Sequence, residues 1–470
     1  MPEATIDAAL TDLRTSFAGR LLTPDEPGYD DARAVFNAMI DRRPSLIAQC
    51  TGAADVIAAV ALAREQGLEL SVRGGGHSVA GHAVCDGGLV VDLTPMKGVR
   101  VDPEKRTAWV QAGMTWGEVD RETQAFGLAV TGGRVPSTGV AGLTLGGGSG
   151  WIERKCGFTV DSLISVELVT ADGRLVIASE EREPELFWAL RGGGGNFGIV
   201  TGFEFRLHEV GPVVYGGMLL FGIEAAVDLL KAYRGFMEDA PDEICGAAAV
   251  LCAPPEEFVP AEVRGKPVFG VIACYVGPVE AGERAFAPLR EWDPALDLLG
   301  PMPYTAVQQL IAPGNPPGMN HYWKAGFIQE LTDEAIETFV AHAADVSSPL
   351  TANIMLPMGG ALARVPDEAT PLAYRDAGWN YHILSQWPDP ADAERNVAWT
   401  RRFDQAMGAY AHEGVYVNFV AEPPENVIEA SFGPEKYARL VAVKDRFDPG
   451  NVFHNNTNIA PRAGRAAPAS

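Results

Sequence analysis

Small apolar residues recur at helical spacing between Ala53 and Gly67, in Val56, Ala59, Val60 and Ala63, with Thr51 placed to cap the start and Gly67 to end it. The period then changes. Leu68 to Arg73 alternates apolar and polar positions, the pattern of a half-buried strand. Leu89–Leu93 and Thr107–Ala112 read as further strands, and Thr115 with Glu118 three residues on marks a capped helix start. The runs Ser165–Thr170 and Leu175–Ile177 flank Asp172-Gly173, a pair suited to a tight hairpin turn. A helical stretch from Pro184 to Leu190 precedes the strand-like Ile199–Leu207. This region therefore reads as α+β, with strands returning antiparallel.

From about 210 to 415 the apolar runs Val268–Tyr275 and Trp379–Leu384 alternate with helical patterns such as Thr332–Phe339. They predict an antiparallel sheet backed by helices. The tail from Arg462 to Ser470, rich in Ala and Pro, is expected to fray.

Composition narrows the partners. The chain has 470 residues, enough for two domains, and 47% of them are hydrophobic. A net charge of −24 repels nucleic acid and anionic membranes alike and otherwise reads as solubility. Met1–Asp7 lacks the basic and apolar regions of a signal peptide, and no apolar run is long enough to span a membrane, so a cytoplasmic, bacterial setting is expected. Six scattered cysteines and eight histidines without ligand spacing argue against a disulfide framework and against a metal.

Three glycine loops carry the chemistry. Arg73-Gly74-Gly75-Gly76-His77-Ser78 follows a strand, Gly139-Val140-Ala141-Gly142-Leu143-Thr144-Leu145-Gly146-Gly147-Gly148 follows Pro136-Ser137-Thr138, and Arg191-Gly192-Gly193-Gly194-Gly195 follows a helix. Runs without side chains let a ligand approach bare backbone, and successive N–H groups suit phosphates. Gly193 to Gly198 also fits Gly-x-Gly-x-x-Gly. The order here is helix then strand, the reverse of a Rossmann site, and that reading is rejected.

These motifs, with Phe187-Trp188-Ala189-Leu190-Arg191-Gly192, Tyr416-Val417-Asn418-Phe419 and Arg446-Phe447-Asp448-Pro449-Gly450-Asn451, resemble the FAD-linked oxidases of the berberine-bridge-enzyme type, in the vanillyl-alcohol-oxidase superfamily. The resemblance implies a two-domain fold of the PCMH type. An FAD-binding domain would span residues 1–207, a substrate domain 208–415, and a C-terminal return to the first domain 416–465. It implies FAD bonded covalently through His77 and lying along Arg73, Gly74, Gly75, Gly76, Ser78 and Gly81. Pro136, Thr138, Gly139, Gly142, Leu143, Gly146, Gly147 and Gly150 would form the second contact line, Gly198 and Val200 the third, with Tyr416, Asn418 and Asn456 from the C-terminal segment and Asn458 beside them. Many relatives add a bond through a cysteine. Its slot here is Gly139, so one attachment is expected, with Cys156 a buried apolar residue.

Alcohol oxidation also needs a group that takes the hydroxyl proton. Relatives commonly use the last tyrosine of Tyr-x-Asn-Tyr, which here is Phe419, and Tyr416 would lie on the opposite face of the same strand. Glu153, in its Trp151-Ile152 context, is one substitute, the alternative being a solvated helix-face glutamate beside Arg154 and Lys155. His382 and Tyr381 are rivals, and Lys324 is a candidate for substrate contact. The implied activity is transfer of hydride from a hydroxyl-bearing carbon of a sugar or secondary metabolite to FAD, with molecular oxygen as final acceptor. C–N oxidation, a dehydrogenase with another acceptor and a non-catalytic flavin carrier stay open, as does the choice of monomer or homodimer.

Overall fold

In the computed structural model, which describes residues 10–11, 13–421 and 425–464, the helix Ala53–Gln66 joins strands that lie parallel. Leu46–Gln49 and Leu70–Arg73 each pair in parallel with Leu89–Asp92, and Arg20–Leu22 adds an antiparallel edge. The expected antiparallel return fails here because a crossover helix, unlike a hairpin, carries the chain back to the sheet end where it began. The helix start differs too. Gly52 is the cap, and Thr51 instead donates its N–H and hydroxyl to Asp55, both at 2.8 Å.

The second sheet is antiparallel throughout, in the order Val99–Asp102, Thr107–Gln111, Ile199–Arg206, Leu163–Val169, Leu175–Ser179. Its last pair is the Asp172-Gly173 hairpin, and Thr115 and Glu118 form the expected capping box on Trp116–Gln124. Among the described residues no helix is long and apolar enough to cross a membrane.

The large sheet runs Leu296–Asp297, Val213–Gly222, Pro267–Tyr275, Ile244–Cys252, Ala352–Pro357, Trp379–Trp387, Asn320–Ile328, each neighbour antiparallel. Helices Ala226–Glu238, Asp333–Ala344 and Ala393–Met407 cover one face, where Phe339, Trp399 and Phe403 pack with Tyr381 and Ile383. The opposite face packs in part on Trp151, Ile152 and Tyr304, and beside them Trp323, Ile354, His382 and Leu384 face the site. Alternation along a strand then decides which residues reach it.

The C-terminal helix Pro434–Phe447 buries Tyr437, Leu440 and Val441 in the core of the N-terminal sheets. Asp448 explains the motif that follows. It accepts the N–H groups of Val452 and Phe453 and pairs with Lys444 at 2.7 Å, and Lys444 also donates to the carbonyls of Asn196 and Phe453. Asn196 in turn binds Thr457 and Ile459, so the third glycine loop and the C-terminal segment hold each other. Of the tail expected to fray, Arg462–Gly464 is a 3-10 turn, while residues 465–470 and the opening Met1–Asp7 lie outside the described residues.

Candidate active site

The three glycine loops meet around one cavity of about 310 Å³. Strand Leu70–Arg73 delivers the first of them, and Gly75 touches Gly139 backbone to backbone, so closely that a Cβ on either would overlap the other's main chain. Gly142 borders the cavity, and a Cβ there would meet nothing within 4 Å. Gly194 donates its N–H to Leu145 at 2.9 Å and joins the third loop to the second. Asn418 donates to the carbonyl of Leu143 at 3.1 Å, and only a glycine at 146 leaves room for its amide.

Of the residues expected to hold FAD, the cavity wall includes Gly74, Gly75, Gly76, His77, Ser78 and Thr138. It also includes Gly139, Gly142, Leu143, Gly146, Gly198, Val200, Asn418 and Asn456. Six do not border it. Arg73 turns its guanidinium to the carbonyl of Ala32, and Gly81, Pro136, Gly147 and Gly150 pack against Ile40, Gly117, Leu372 and Gly132 behind the wall. Tyr416 is buried, with its hydroxyl accepting the Gly148 N–H at 2.8 Å. It does not stand on a strand opposite Phe419. Val417–Phe419 is a 3-10 turn, which brings the two rings to 5.6 Å on the same side. Asn458 also lies outside the wall, its side-chain oxygen buried without a partner.

His77 is half-buried beside Gly76, with Nε2 at 3.0 Å from the Ser137 hydroxyl and its ring stacked on Phe36 at 4.2 Å. Burial pushes its pKa down to about 4, so the imidazole is neutral at pH 7. Phe36 stacks on His321 at 4.2 Å, and the ring contacts continue through Trp323 and Phe419 to His382. His321 is lowered to about 3 by burial and then by His77. His382 borders the cavity, fully buried, and its Nε2 has no partner among the described residues. Burial and then the charge of Arg134 hold it well below the ordinary histidine value.

The other proton-acceptor candidates stand elsewhere. Tyr381 is on the helix-covered face of its strand and donates to Asp404 at 3.1 Å; burial and then Asp404 raise its pKa further. Lys324 shares that face, and its neighbour Trp323 reaches the cavity instead. Glu153 is neither solvated nor in an apolar setting, and it does not border the cavity. One layer behind, it accepts the Gly150 N–H at 2.9 Å and the Ser149 hydroxyl, and pairs with Arg134 at 3.2 Å. Cys156 is buried with Trp151 and Ile152, away from the His77 loop.

Phe36, Arg134, His321 and Trp323 escaped the sequence reading. Phe36 is delivered by an N-terminal segment in which Asn37 binds both Val79 and the backbone of His321, contacts too distant in sequence to show a pattern. Arg134 had a legible signal, a lone charge after Gly132-Gly133.

Comparison with known proteins gives the family. Residues 44–179 match a family model described as an FAD binding domain, and 415–460 one described as berberine and berberine like. The (R)-6-hydroxynicotine oxidase of Paenarthrobacter nicotinovorans is 31% identical over 95% of this chain and 97% of its own. An uncharacterized FAD-linked oxidoreductase of Bacillus subtilis, YgaK, is 31% identical over 95% of this chain and 98% of its own. Among solved structures, 6-hydroxy-D-nicotine oxidase from Arthrobacter nicotinovorans superposes with a TM-score of 0.85 at 30% identity, covering 95% of this chain and 99% of that one. A xylooligosaccharide oxidase from Myceliophthora thermophila gives 0.83 at 25% identity, over 97% and 99%.

Proposed function

The chain belongs to the FAD-linked oxidoreductases of the berberine-bridge-enzyme type, and we propose that it is an oxidase acting on a hydroxyl-bearing carbon of a sugar or secondary metabolite, with molecular oxygen as final acceptor. The observation that carries this reading is the neutral, unpartnered Nε2 of His382 in the cavity that also holds His77. The bare wall at Gly142, where a Cβ would meet nothing within 4 Å, suits a cofactor packed against main chain.

FAD bound there supplies the hydride acceptor. His77, neutral and adjacent to the glycine run, is assigned its single covalent attachment. A second bond at position 139 would need a side chain where the Gly75 backbone already lies. His382 is assigned the hydroxyl proton, because it alone among Glu153, Tyr381, Lys324 and itself borders the cavity. We assign FAD binding to residues 1–207 with 416–465, and substrate binding to 208–415.

Anaerobic stopped-flow mixing with alcohols, sugars and amines, followed by air, tests the activity. Hydroxyl compounds should bleach the flavin and oxygen should restore its colour. Bleaching by amines alone would transfer the reading to C–N oxidation, where a neutral amine needs no base, and failure of air to restore it would mean a dehydrogenase.

A further inference from the structure

Among the described residues that form the cavity wall there is one formal charge, and Arg134 is the only Asp, Glu, Lys or Arg side chain. The histidines that share the wall, His77, His82 and His382, are all shifted toward the neutral form, by burial first in each case. Arg134 is 8% exposed. Its Nη2 is committed to the Ser149 hydroxyl at 2.9 Å, the Gly150 carbonyl at 3.2 Å and Glu153 at 3.2 Å, while Nε is buried with no partner among the described residues. Glu153 offers the cavity nothing in return. One carboxylate oxygen is taken by Arg134 and the other by Ser149 and the Gly150 N–H.

The same wall is aromatic. Trp323 and Phe419 stack at 5.7 Å, His382 lies on Phe419 at 4.1 Å, and Phe36 faces them from the His77 side. Nε1 of Trp323 and Nε2 of His382 both lack a partner among the described residues. A fixed cation with flat apolar rings beside it, and no carboxylate among the described residues of the wall, favours an anion and disfavours a cation, and burial amplifies both effects.

We propose that the substrate half of this cavity takes a planar aromatic compound bearing an anionic oxygen, a carboxylate or phenolate, with Arg134 as its counter-ion, and excludes the corresponding ammonium compounds. The proposal rests on the oxidase reading above for what is done to the substrate, and on the cavity wall alone for which substrate binds.

Benzoate, benzamide and benzamidinium have nearly the same shape and carry charges of −1, 0 and +1. None offers a carbon to oxidise, so their binding to the flavin-loaded protein, measured by calorimetry, reads charge preference without turnover. Benzoate should bind at least about tenfold tighter than benzamide, with benzamidinium weakest, the scale of a charge pair only partly offset by Glu153. Arg134→Gln should bring all three within about twofold. Because that variant leaves Glu153 buried without its cation, the double variant Arg134→Gln/Glu153→Gln, which removes both charges together, should give the same collapse. Benzamidinium binding as tightly as benzoate, an order that survives in both variants, or no binding by any probe would overturn the proposal. So would an unchanged benzoate affinity with a shifted flavin potential, since the guanidinium would then serve the cofactor. Oxidation of no alcohol alongside an intact anion preference would sink the oxidase reading and leave this one standing.

Discussion

At the scale of single residues, burial fixes protonation. His77 and His382 both face the cavity as neutral imidazoles, the first with a pKa near 4 and the second well below the ordinary 6.5. His77→Ala should leave the colour in the supernatant after acid precipitation, where the native protein should carry it into the pellet; a colourless native pellet would remove the covalent assignment. His382→Gln should retain flavin and slow its reduction by about 10²-fold or more, the usual loss when a general base is removed. The acid limb of kcat/KM should fall below pH 6.5, since His382 must be deprotonated to accept a proton and its pKa is lowered. A limb centred at 6.5 or above, or an unchanged rate in the variant, would dismiss His382 from that role.

At the scale of elements, the glycine loops were the most legible part of the chain, because bare backbone at so many positions calls for close approach, met by neighbouring chain at Gly75, Gly139 and Gly146 and left open to a ligand at Gly142. The helix at 53–66, the Asp172-Gly173 hairpin and the Thr115 capping box were also legible, since each depends on contacts a few residues apart. The choice between Trp323 and Lys324, or between His382 and Tyr381, was not. A strand's period says that neighbours face opposite ways, and only the packing of Ala393–Met407 says which way is in. The Tyr416 turn failed for a related reason: a short extended run reads as a strand until it lacks a partner strand. The contact between Gly75 and Gly139 gives the element-scale prediction. Gly139→Ala should push the His77 loop from the second loop, because the new Cβ meets main chain rather than a yielding side chain. Overpacking of this kind costs about 1–3 kcal/mol, and the flavin-to-protein absorbance ratio should fall with the melting temperature. Full flavin content at an unchanged melting temperature would show that the loops separate freely.

At the scale of the whole molecule, one buried carboxyl joins the N-terminal core to the segment that carries Ile311 and Asn315 to the cavity. Asp120, on helix Trp116–Gln124, accepts a hydrogen bond from Gln308 at 3.0 Å, and Gln308 also reaches the carbonyl of Gly133, beside Arg134. Among the described residues the second oxygen of Asp120 has no partner, and neither has the neighbouring Tyr304 hydroxyl. Burial raises the Asp120 pKa to about 7, against an ordinary 3.8. A carboxyl raised in the folded state holds its proton there longer than in the unfolded chain. Its contribution is therefore complete below pH 3.8 and is lost progressively as pH rises toward 7. That interval corresponds to roughly 4 kcal/mol at 1.36 kcal/mol per pH unit. Asp120→Asn removes the titration without emptying the site, because Gln308 can turn its own unpartnered oxygen toward the new amide. Melting temperatures of the two proteins should converge as pH falls toward 3.8 and lie furthest apart by pH 8, with the variant the more stable. Parallel curves across that range would mean that Asp120 stays ionised in the fold, and that the junction between the cores is indifferent to pH.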